Sequence, residues 1–110
     1  MSDKSGDLVQ GTLDMLVLKT LALEPMHGYG ISVRIEQMSK RVFRPNAGSL
    51  FLAIRRLQRD GLIDGEWKAT ENNRRAKYYA LTPKGRKRLN SETREWGRQA
   101  TAIARILEAS

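Results

Sequence analysis

The densest group of side chains that could do chemistry lies between residues 46 and 62, where arginines recur among apolar residues. At about 100° per residue, a helix here places Arg55 and Arg59 on one side and an apolar stripe on the other. The apolar residues of that stripe are Leu50, Ala53, Ile54 and Leu57. Ser49 is the predicted N-cap of this helix, and Gly61 is its predicted end. Guanidinium groups can bind the phosphates and base edges of DNA, although arginines on a single helix more often face only solvent.

The composition excludes most other chemistry. The chain has 110 residues, no cysteine and one histidine, His27, which leaves no thiolate metal site and few catalytic combinations. We therefore expect no enzymatic activity, no metal and no cofactor. The longest apolar run, residues 13–23, contains Lys19 and is far shorter than the ~20 residues of a membrane span, and no secretion leader opens the chain. We expect a cytoplasmic protein without a membrane partner.

The positive charge is concentrated in the middle of the chain. Residues 40–88 hold fourteen Lys or Arg and four Asp or Glu, a net charge of +10 in a chain whose total is +8. A surface that binds a polyanion needs such a concentration, because each phosphate that is neutralised releases condensed counterions. The charge distribution favours double-stranded DNA as the partner.

Two helices are predicted before the arginine-bearing one. Residues 1–7 are small and polar and predict a loose arm. Residues 8–23 predict a helix that is apolar on two faces, so either a long neighbouring helix or a second subunit must cover the second face. A second helix is predicted from about residue 30 to 39, with Met38 among its inward side chains. Phe43 follows in an extended connector and is predicted to enter the core.

After Gly61 the pattern changes from helical to alternating. Residues 62–68 and 75–81 predict two strands, and the polar residues 69–74 between them predict the tip of a β-hairpin. Three helices and a hairpin with a basic tip form a winged helix-turn-helix, a mainly α fold with a small β-hairpin. In that fold the third helix enters the major groove of DNA, and the hairpin, or wing, reaches an adjacent backbone or minor groove.

Thr82 and Pro83 predict the start of a last helix that can continue to residue 110. Its apolar residues recur at steps of four and three, as in a coiled coil. Such a seam either folds back on the chain's own core or pairs with a second copy. Because the first helix also has a face to cover, we favour a symmetric dimer built from both helices. The predicted interface residues are Leu13, Met15, Leu18, Leu89, Trp96, Ala100, Ile103 and Leu107.

Three ordered segments of the chain are specific enough to compare with known families. They are GTLDMLVLKTLALEPMHGYG at residues 11–30, AGSLFLAIRRLQRDGLI at 47–63 and RRAKYYALTPKGRKRL at 74–89. Together they resemble the PadR-type transcriptional regulators over about residues 8–110, and the short final helix resembles the subfamily with a single C-terminal helix. The resemblance implies a homodimeric winged-helix protein that represses nearby promoters. In some members small planar or phenolic compounds relieve repression.

The resemblance also implies which residues contact DNA. The residues expected at the DNA interface are Tyr29, Asn46, Ser49, Phe51, Leu52, Arg55, Arg56, Arg59, Asn73, Arg74, Arg75 and Lys77. Arg55 and Arg59 are expected to point toward DNA, and Arg56 is expected to lie near its backbone. Tyr29 and the cations of the wing are expected to bind phosphates. Phe51 stands where the family usually has a tyrosine.

The sequence therefore predicts a loose arm at residues 1–7, a winged helix-turn-helix domain at 8–82 and a dimerisation helix at 83–110. Trp96 either fills the dimer interface or, with its counterpart in the second subunit, stacks on a flat aromatic effector. The expected function is that of a homodimeric repressor of a pseudo-palindromic operator. The alternative is a winged-helix module whose basic surface binds an acidic protein partner.

Overall fold

Four helices and a small antiparallel sheet make up the fold, and the computed structural model describes residues 10–110. The elements in chain order are α1 (Gln10–Leu23), β1 (Met26–His27), α2 (Gly28–Met38), α3 (Ala47–Arg59), β2 (Ile63–Ala69), β3 (Arg75–Leu81) and α4 (Pro83–Glu108). This is the predicted winged helix-turn-helix, and the fold class is confirmed. The loose arm predicted at residues 1–7 lies outside the described residues.

The central helix of the molecule is α1. It packs against α2, α3, α4 and β3, so the chain itself covers most of both apolar faces. Val17 and Leu18 are fully buried, and the buried Thr20 hydroxyl donates a hydrogen bond to the Leu16 carbonyl oxygen at 2.7 Å. Met15, on the second face, is only partly buried.

Three of the predicted dimer-interface residues belong to the core of the single chain. Leu13 is 4% exposed, Leu18 is 0% exposed and Leu89 is 6% exposed. Side chains that the chain has already removed from water have almost no apolar surface left to bury against a partner. The prediction is corrected for these three. The predicted interface residues that keep exposed surface are Met15, Trp96, Ala100, Ile103 and Leu107.

Two helices begin differently from the prediction. The N-cap of α3 is Asn46 rather than Ser49, because the Asn46 carboxamide oxygen accepts a hydrogen bond from the Ser49 amide at 3.1 Å. The second helix begins at Gly28 rather than near residue 30, because the His27 ring accepts a hydrogen bond from the Gly30 amide at 2.9 Å. His27 also ends β1, which pairs with β3 and gives the sheet the order β1-β3-β2.

Two further predictions concern the end of α2 and the connector that follows it. Lys40 and Arg41 have φ angles of 53° and 68°, so the chain turns sharply after the helix. Met38, predicted to lie inward, is 48% exposed in the last turn before this change of direction. Phe43 is partly buried and packs against the core, as expected. Its amide donates a hydrogen bond to the Ser39 hydroxyl at 3.0 Å, which holds the connector against the end of α2.

Hydrogen bonds tie the end of α3 to the start of α4. The Thr82 hydroxyl caps α4 by accepting a hydrogen bond from the Gly85 amide at 3.0 Å, and it donates one to the Gly61 carbonyl oxygen at 2.8 Å. The Lys84 ammonium donates to the carbonyl oxygen of Asp60 at 2.9 Å. Gly61 ends α3 as predicted, with a φ angle of 75° that favours glycine. The orientation of α4 is therefore fixed relative to α3.

The last helix extends past the body on which its first turns pack. Gly85 and Leu89 near its start are buried, whereas Trp96, Ile103 and Leu107 are each more than half exposed. At about 1.5 Å per residue, α4 is roughly 39 Å long. The described molecule extends over 59 × 33 × 21 Å. Within residues 10–110 the structure contains no helix with the length and apolar character of a membrane span.

Candidate nucleic-acid interface

The outer side of α3 is a strip of exposed side chains. The four residues predicted to form its apolar stripe are all buried in the core. On the opposite side Phe51 and Leu52 are more than half exposed, and Arg55 and Arg59 are exposed as well. The helical period that buries one side presents these residues on the other, as the sequence predicts. A helix exposed in this way can enter the major groove of DNA.

The guanidinium of Arg55 lies beside the ring of Phe51, one helical turn earlier. The Arg55 Cζ atom is 5.7 Å from the centre of that ring, a cation–π contact between residues four apart. Phe51 therefore restricts the rotamers of Arg55 on the helix surface, which lowers the entropy that Arg55 would lose on binding a partner. Arg59 is different, since its Nε donates to the Asp60 carboxylate at 3.2 Å. Part of its charge is offset within the protein.

Arg56, expected near the DNA backbone, points toward α1 instead. Its guanidinium donates a hydrogen bond to the Asp14 carboxylate at 2.8 Å, and the two side chains are only 26% and 20% exposed. Residue 56 lies at the edge of the buried stripe of α3, where α1 packs, so its side chain is directed along that contact. The charge of Arg56 is compensated inside the protein, and we remove it from the DNA interface.

Tyr29 stands at the start of α2 and is largely exposed. Its ring stacks on the His27 ring with the ring centres 6.4 Å apart. The His27 ring is fixed by its cap bond to the Gly30 amide and by an edge contact with Tyr78 at 5.3 Å. The Tyr29 hydroxyl is therefore held at the surface, where it can donate a hydrogen bond to a phosphate.

The wing, formed by β2 and β3, ends in a tight turn over residues 70–74. The Asn73 amide donates to the Thr70 carbonyl oxygen at 2.9 Å, and the Arg74 amide donates to the Thr70 hydroxyl at 3.3 Å. Asn73 has a φ angle of 63°, which asparagine tolerates better than most residues do. This turn places Arg74 and Arg75 at the exposed tip.

A concavity of about 460 Å³ lies between the start of α2, α3 and the wing. The expected DNA-binding residues that line it are Tyr29, Phe51, Arg74, Arg75 and Lys77. The Lys77 ammonium lies 5.9 Å from the centre of the Tyr79 ring. Burial raises the pKa of the Tyr79 hydroxyl, which therefore stays neutral beside this cation. The concavity combines cations from the wing with aromatic rings from the helices, a combination that suits the sugar-phosphate backbone.

Six further residues from the expected set lie outside this concavity and are exposed. They are Asn46, Ser49, Leu52, Arg55, Arg59 and Asn73. The carboxamide oxygen of Asn46 is engaged in capping α3. The structure thus brings five of the expected residues together and leaves six on the adjoining helix and wing tip.

The model of the PadR-like family of transcriptional regulators matches residues 17–91, which include the second part of α1, the whole wing and the first turns of α4. The chain belongs to this family. The resemblance recognised in the three sequence segments is therefore confirmed, and this PadR-like regulator acts on DNA through a winged-helix fold.

Solved structures with the same fold include regulators from three bacteria. A transcriptional regulator from Clostridium thermocellum is 25% identical with a TM-score of 0.83, over 98% of this chain and 99% of that one. A PadR-like transcriptional regulator from Bacillus cereus is 26% identical with a TM-score of 0.80, over 93% and 97% of the two chains. A PadR family regulator from Eggerthella lenta is 30% identical with a TM-score of 0.76, over 92% and 86%.

One residue beside the interface of this PadR-like regulator was missed in the sequence. Trp67 lies in β2 and is 57% exposed, and the Arg75 Cζ atom is 5.7 Å from the centre of its ring. Trp67 pairs with Lys77 across the hairpin. The sequence shows that Trp67 lies in a strand and that the residues of β3 alternate. It does not show which residue of β3 stands opposite Trp67, because that depends on the register between the two strands.

Trp96 lines a groove of about 490 Å³ between α1 and α4. The apolar residues that line the groove with it are Met15, Leu16 and Leu89. The expected interface residues Ala100, Ile103 and Leu107 continue along α4 beyond this groove and line a second groove together with Trp96. Apolar side chains of the PadR-like regulator that keep exposed surface therefore follow these two grooves from Met15 on α1 to Leu107 near the end of α4.

Proposed function

We propose that this PadR-like regulator is a cytoplasmic homodimeric repressor that binds a pseudo-palindromic operator. The observation that carries the proposal is the continuity of the exposed side of α3 with the cations of the wing across one concavity. Arg55 and Arg59 on α3 face the major groove in this arrangement. Arg74, Arg75 and Lys77 bind the flanking DNA. Phosphate contacts supply most of the affinity and α3 supplies the discrimination between sequences.

The proposed dimer forms through α4. Trp96, Ala100, Ile103 and Leu107 recur at coiled-coil spacing and line one groove of about 320 Å³ along the helix. A second copy of α4 would cover this apolar surface, which gains about 25 cal/mol for each Å² removed from water. Met15 on α1 extends the same surface. In a two-fold dimer, the two copies of α3 meet half-sites about 10 base pairs apart or a multiple of that distance.

The proposed division of the chain gives residues 8–82 to DNA binding and residues 83–110 to dimerisation. The boundary between residues 82 and 83 does not separate two independent units. Gly85 and Leu89 at the start of α4 are buried and complete the core of the winged-helix domain. A dimer built on α4 would therefore be coupled mechanically to the position of α3.

Selection of bound duplexes from a random pool by the purified protein tests the proposed function. We expect an enriched two-fold motif and a complex that contains two protein chains for each duplex. Placed over a promoter, the recovered site should lower transcription when the protein is added. The absence of any enriched duplex at low salt would overturn the proposal. A protein partner that duplex DNA fails to displace would favour the alternative of an acidic-protein-binding module.

We also propose that a small planar aromatic compound relieves repression by binding at Trp96. The supporting observation is that Trp96 lines the groove between α1 and α4 and is more than half exposed. Titration of Trp67→Phe protein with planar aromatic compounds isolates the Trp96 fluorescence, since the chain has two tryptophans. Quenching with release of DNA is expected. If the Trp96 fluorescence stayed unchanged up to the solubility limit of the compounds, the proposed effector would be ruled out.

A further inference from the structure

Trp67 is a large aromatic residue that contributes little to the packing of the fold. It is 57% exposed, and every residue from Glu66 to Ala69 in β2 is exposed. Burial of an aromatic side chain normally contributes strongly to a core, so an exposed tryptophan on a narrow hairpin contributes little here. An exposed aromatic side chain beside cations is typical of a contact surface.

The face of the hairpin that carries Trp67 is the one that faces α3. The cross-strand pairs on this face are Gly65 with Tyr79, Trp67 with Lys77 and Ala69 with Arg75. Tyr79 is buried and lines the concavity, and a Cβ atom on Gly65 would lie 3.3 Å from the Gln58 amide nitrogen of α3. Because alternate residues of a strand share a face, Trp67 stands one step farther out on the same side. It therefore lies between α3 and the tip of the wing.

The Trp67 ring contacts the guanidinium of Arg75. The Arg75 Cζ atom lies 5.7 Å from the centre of the Trp67 ring, within the range of a cation–π contact. Arginine stacks on an aromatic ring through its planar group and keeps its N–H donors at the edge free to bind. The contact therefore limits the rotamers of Arg75 while it leaves the hydrogen-bonding groups exposed.

Resting on the proposed DNA-binding function, we propose that Trp67 and Arg75 act as one unit that reads the minor groove beside each half-site. Arg75 enters the groove, and the Trp67 ring packs on the sugars at its edge. Narrow A·T-rich minor grooves have an enhanced negative potential that attracts arginine, whereas a G·C pair places an amino group in the groove. The unit gives the protein a preference for A·T pairs at positions that α3 does not contact.

The same hairpin contains a matched control on its opposite face. The Lys68 ammonium lies 5.7 Å from the centre of the Tyr78 ring, a second cation–π pair at the same distance. Lys68 is exposed and adjacent to Trp67 in the chain, but its side chain lies on the other face of the strand. Loss of charge at Lys68 therefore controls for the general effect of a cation on the wing.

The test uses the selected duplex with the pairs that flank each half-site changed to G·C or to inosine·C. Inosine lacks the minor-groove amino group of guanine and presents the same major-groove pattern. We expect the wild type to bind the inosine duplex roughly three- to tenfold more tightly than the G·C duplex. Arg75→Ala and Trp67→Ala should bring this ratio close to one, Trp67→Phe should keep part of it, and Lys68→Ala should keep all of it.

Equal wild-type affinity for the two duplexes would overturn the inference while the proposed DNA binding stands. The inference is also wrong if Trp67→Ala keeps the full ratio, or if Lys68→Ala loses it. Trp96→Phe leaves Trp67 as the one tryptophan, and its emission should change when the duplex is added. Emission that is constant at saturation, or that changes only when subunits dissociate, also overturns the inference. If no duplex binds at low salt, the proposed function fails and this inference fails with it.

Discussion

Arg55 and Arg74 both expose a guanidinium at the proposed interface, but different elements hold them. Arg55 lies on α3 over the Phe51 ring, so its donors are directed from a rigid helix. Arg74 lies in the turn at the tip of the wing, where its amide bonds to Thr70. A helix in the major groove brings bidentate donors to base edges, whereas a turn at the flank of the site meets phosphates. The two arginines should therefore contribute differently to binding.

We predict that Arg55→Ala lowers the affinity for the selected duplex by about 1–3 kcal/mol and relaxes the preference at one base pair. Arg74→Ala should weaken binding to all duplexes to a similar extent and reduce the salt slope by about one unit. Titrations of the selected duplex and its single-base variants at several salt concentrations measure both effects. If both substitutions gave the same sequence-independent loss, this division between base and phosphate contacts would be wrong.

The ion pair between Asp14 and Arg56 should act on folding rather than on DNA. Asp14→Asn leaves a mostly buried guanidinium without its counter-charge, in addition to an Arg56 Nε that has no hydrogen-bond partner within the described part of the chain. We predict that the free energy of unfolding falls by about 1–3 kcal/mol. The salt slope of DNA binding should not change.

Urea denaturation of Asp14→Asn, Arg56→Met and the double variant measures this coupling. A coupling energy near zero would show that the pair contributes nothing. A salt slope that falls by one unit in Arg56→Met would return Arg56 to the phosphate contacts.

The sequence predicted which side chains of α3 are exposed and which are buried, but it could not place Arg56 or Trp67. The helical period places Arg55 away from the buried stripe of α3, so its exposure could be predicted from the sequence. Arg56 lies at the edge of that stripe, and its partner Asp14 is 42 residues away in the chain. Trp67 stands opposite Lys77 and contacts Arg75 because of the register of β2 against β3. Both depend on contacts between elements, which a local pattern does not contain.

At the scale of elements, two glycines of α4 have opposite surroundings. A Cβ atom on Gly85 would overlap the Leu62 carbonyl oxygen and crowd the Leu81 side chain, because the start of α4 passes close to the residue just before β2. Gly97 has no atom within 4 Å of an added Cβ in the described structure. The first glycine is needed for packing, and the second only lowers the helix propensity of α4.

We predict that Gly85→Ala lowers the free energy of unfolding by about 1–3 kcal/mol or more, because the backbone at Leu62 must move. Gly97→Ala should raise it by up to about 1 kcal/mol. Thermal melting at a fixed protein concentration compares the two variants. Equal melting temperatures would mean that the start of α4 does not lie this close to the backbone of Leu62.

Elements with a single strong period were predictable, whereas the strand β1 and the element that covers α1 were not. The apolar stripe of α3 and the alternation of β3 identify these elements locally. The strand β1 has two residues and exists because Met26 pairs with Tyr79. The first helix is apolar on two faces, so its sequence could not say whether α4 or a second subunit would cover the second one.

At the scale of the whole molecule, a compact body carries one protruding helix whose apolar side faces solvent. Trp96, Ile103, Ile106 and Leu107 are all more than half exposed on α4. An exposed apolar surface of this length is typical of a contact between proteins. In the proposed dimer it holds the two winged-helix bodies at a fixed separation.

We predict that Ile103→Glu makes the protein monomeric, because a carboxylate would lose its water in the α4 contact. Affinity for the full operator should fall by at least tenfold, while affinity for a single half-site should change little. Thr101→Glu adds the same charge at an exposed position on the other side of α4 and should leave the dimer intact. Sedimentation and duplex titration measure both properties. A dimer that persists in Ile103→Glu would place the subunit contact elsewhere.

The junction between α3 and α4 also affects the distance between the two half-sites that the proposed dimer would bind. The Thr82 hydroxyl and the Lys84 ammonium donate hydrogen bonds to the carbonyl oxygens of Gly61 and Asp60, so a tilt of one helix against the other would stretch these bonds. A tilt of about 5° there would displace the far end of α4, roughly 39 Å away, by about 3.4 Å, the rise of one base pair. In a two-fold assembly, a changed Thr82 would therefore alter how many base pairs separate the half-sites before it altered which bases they contain.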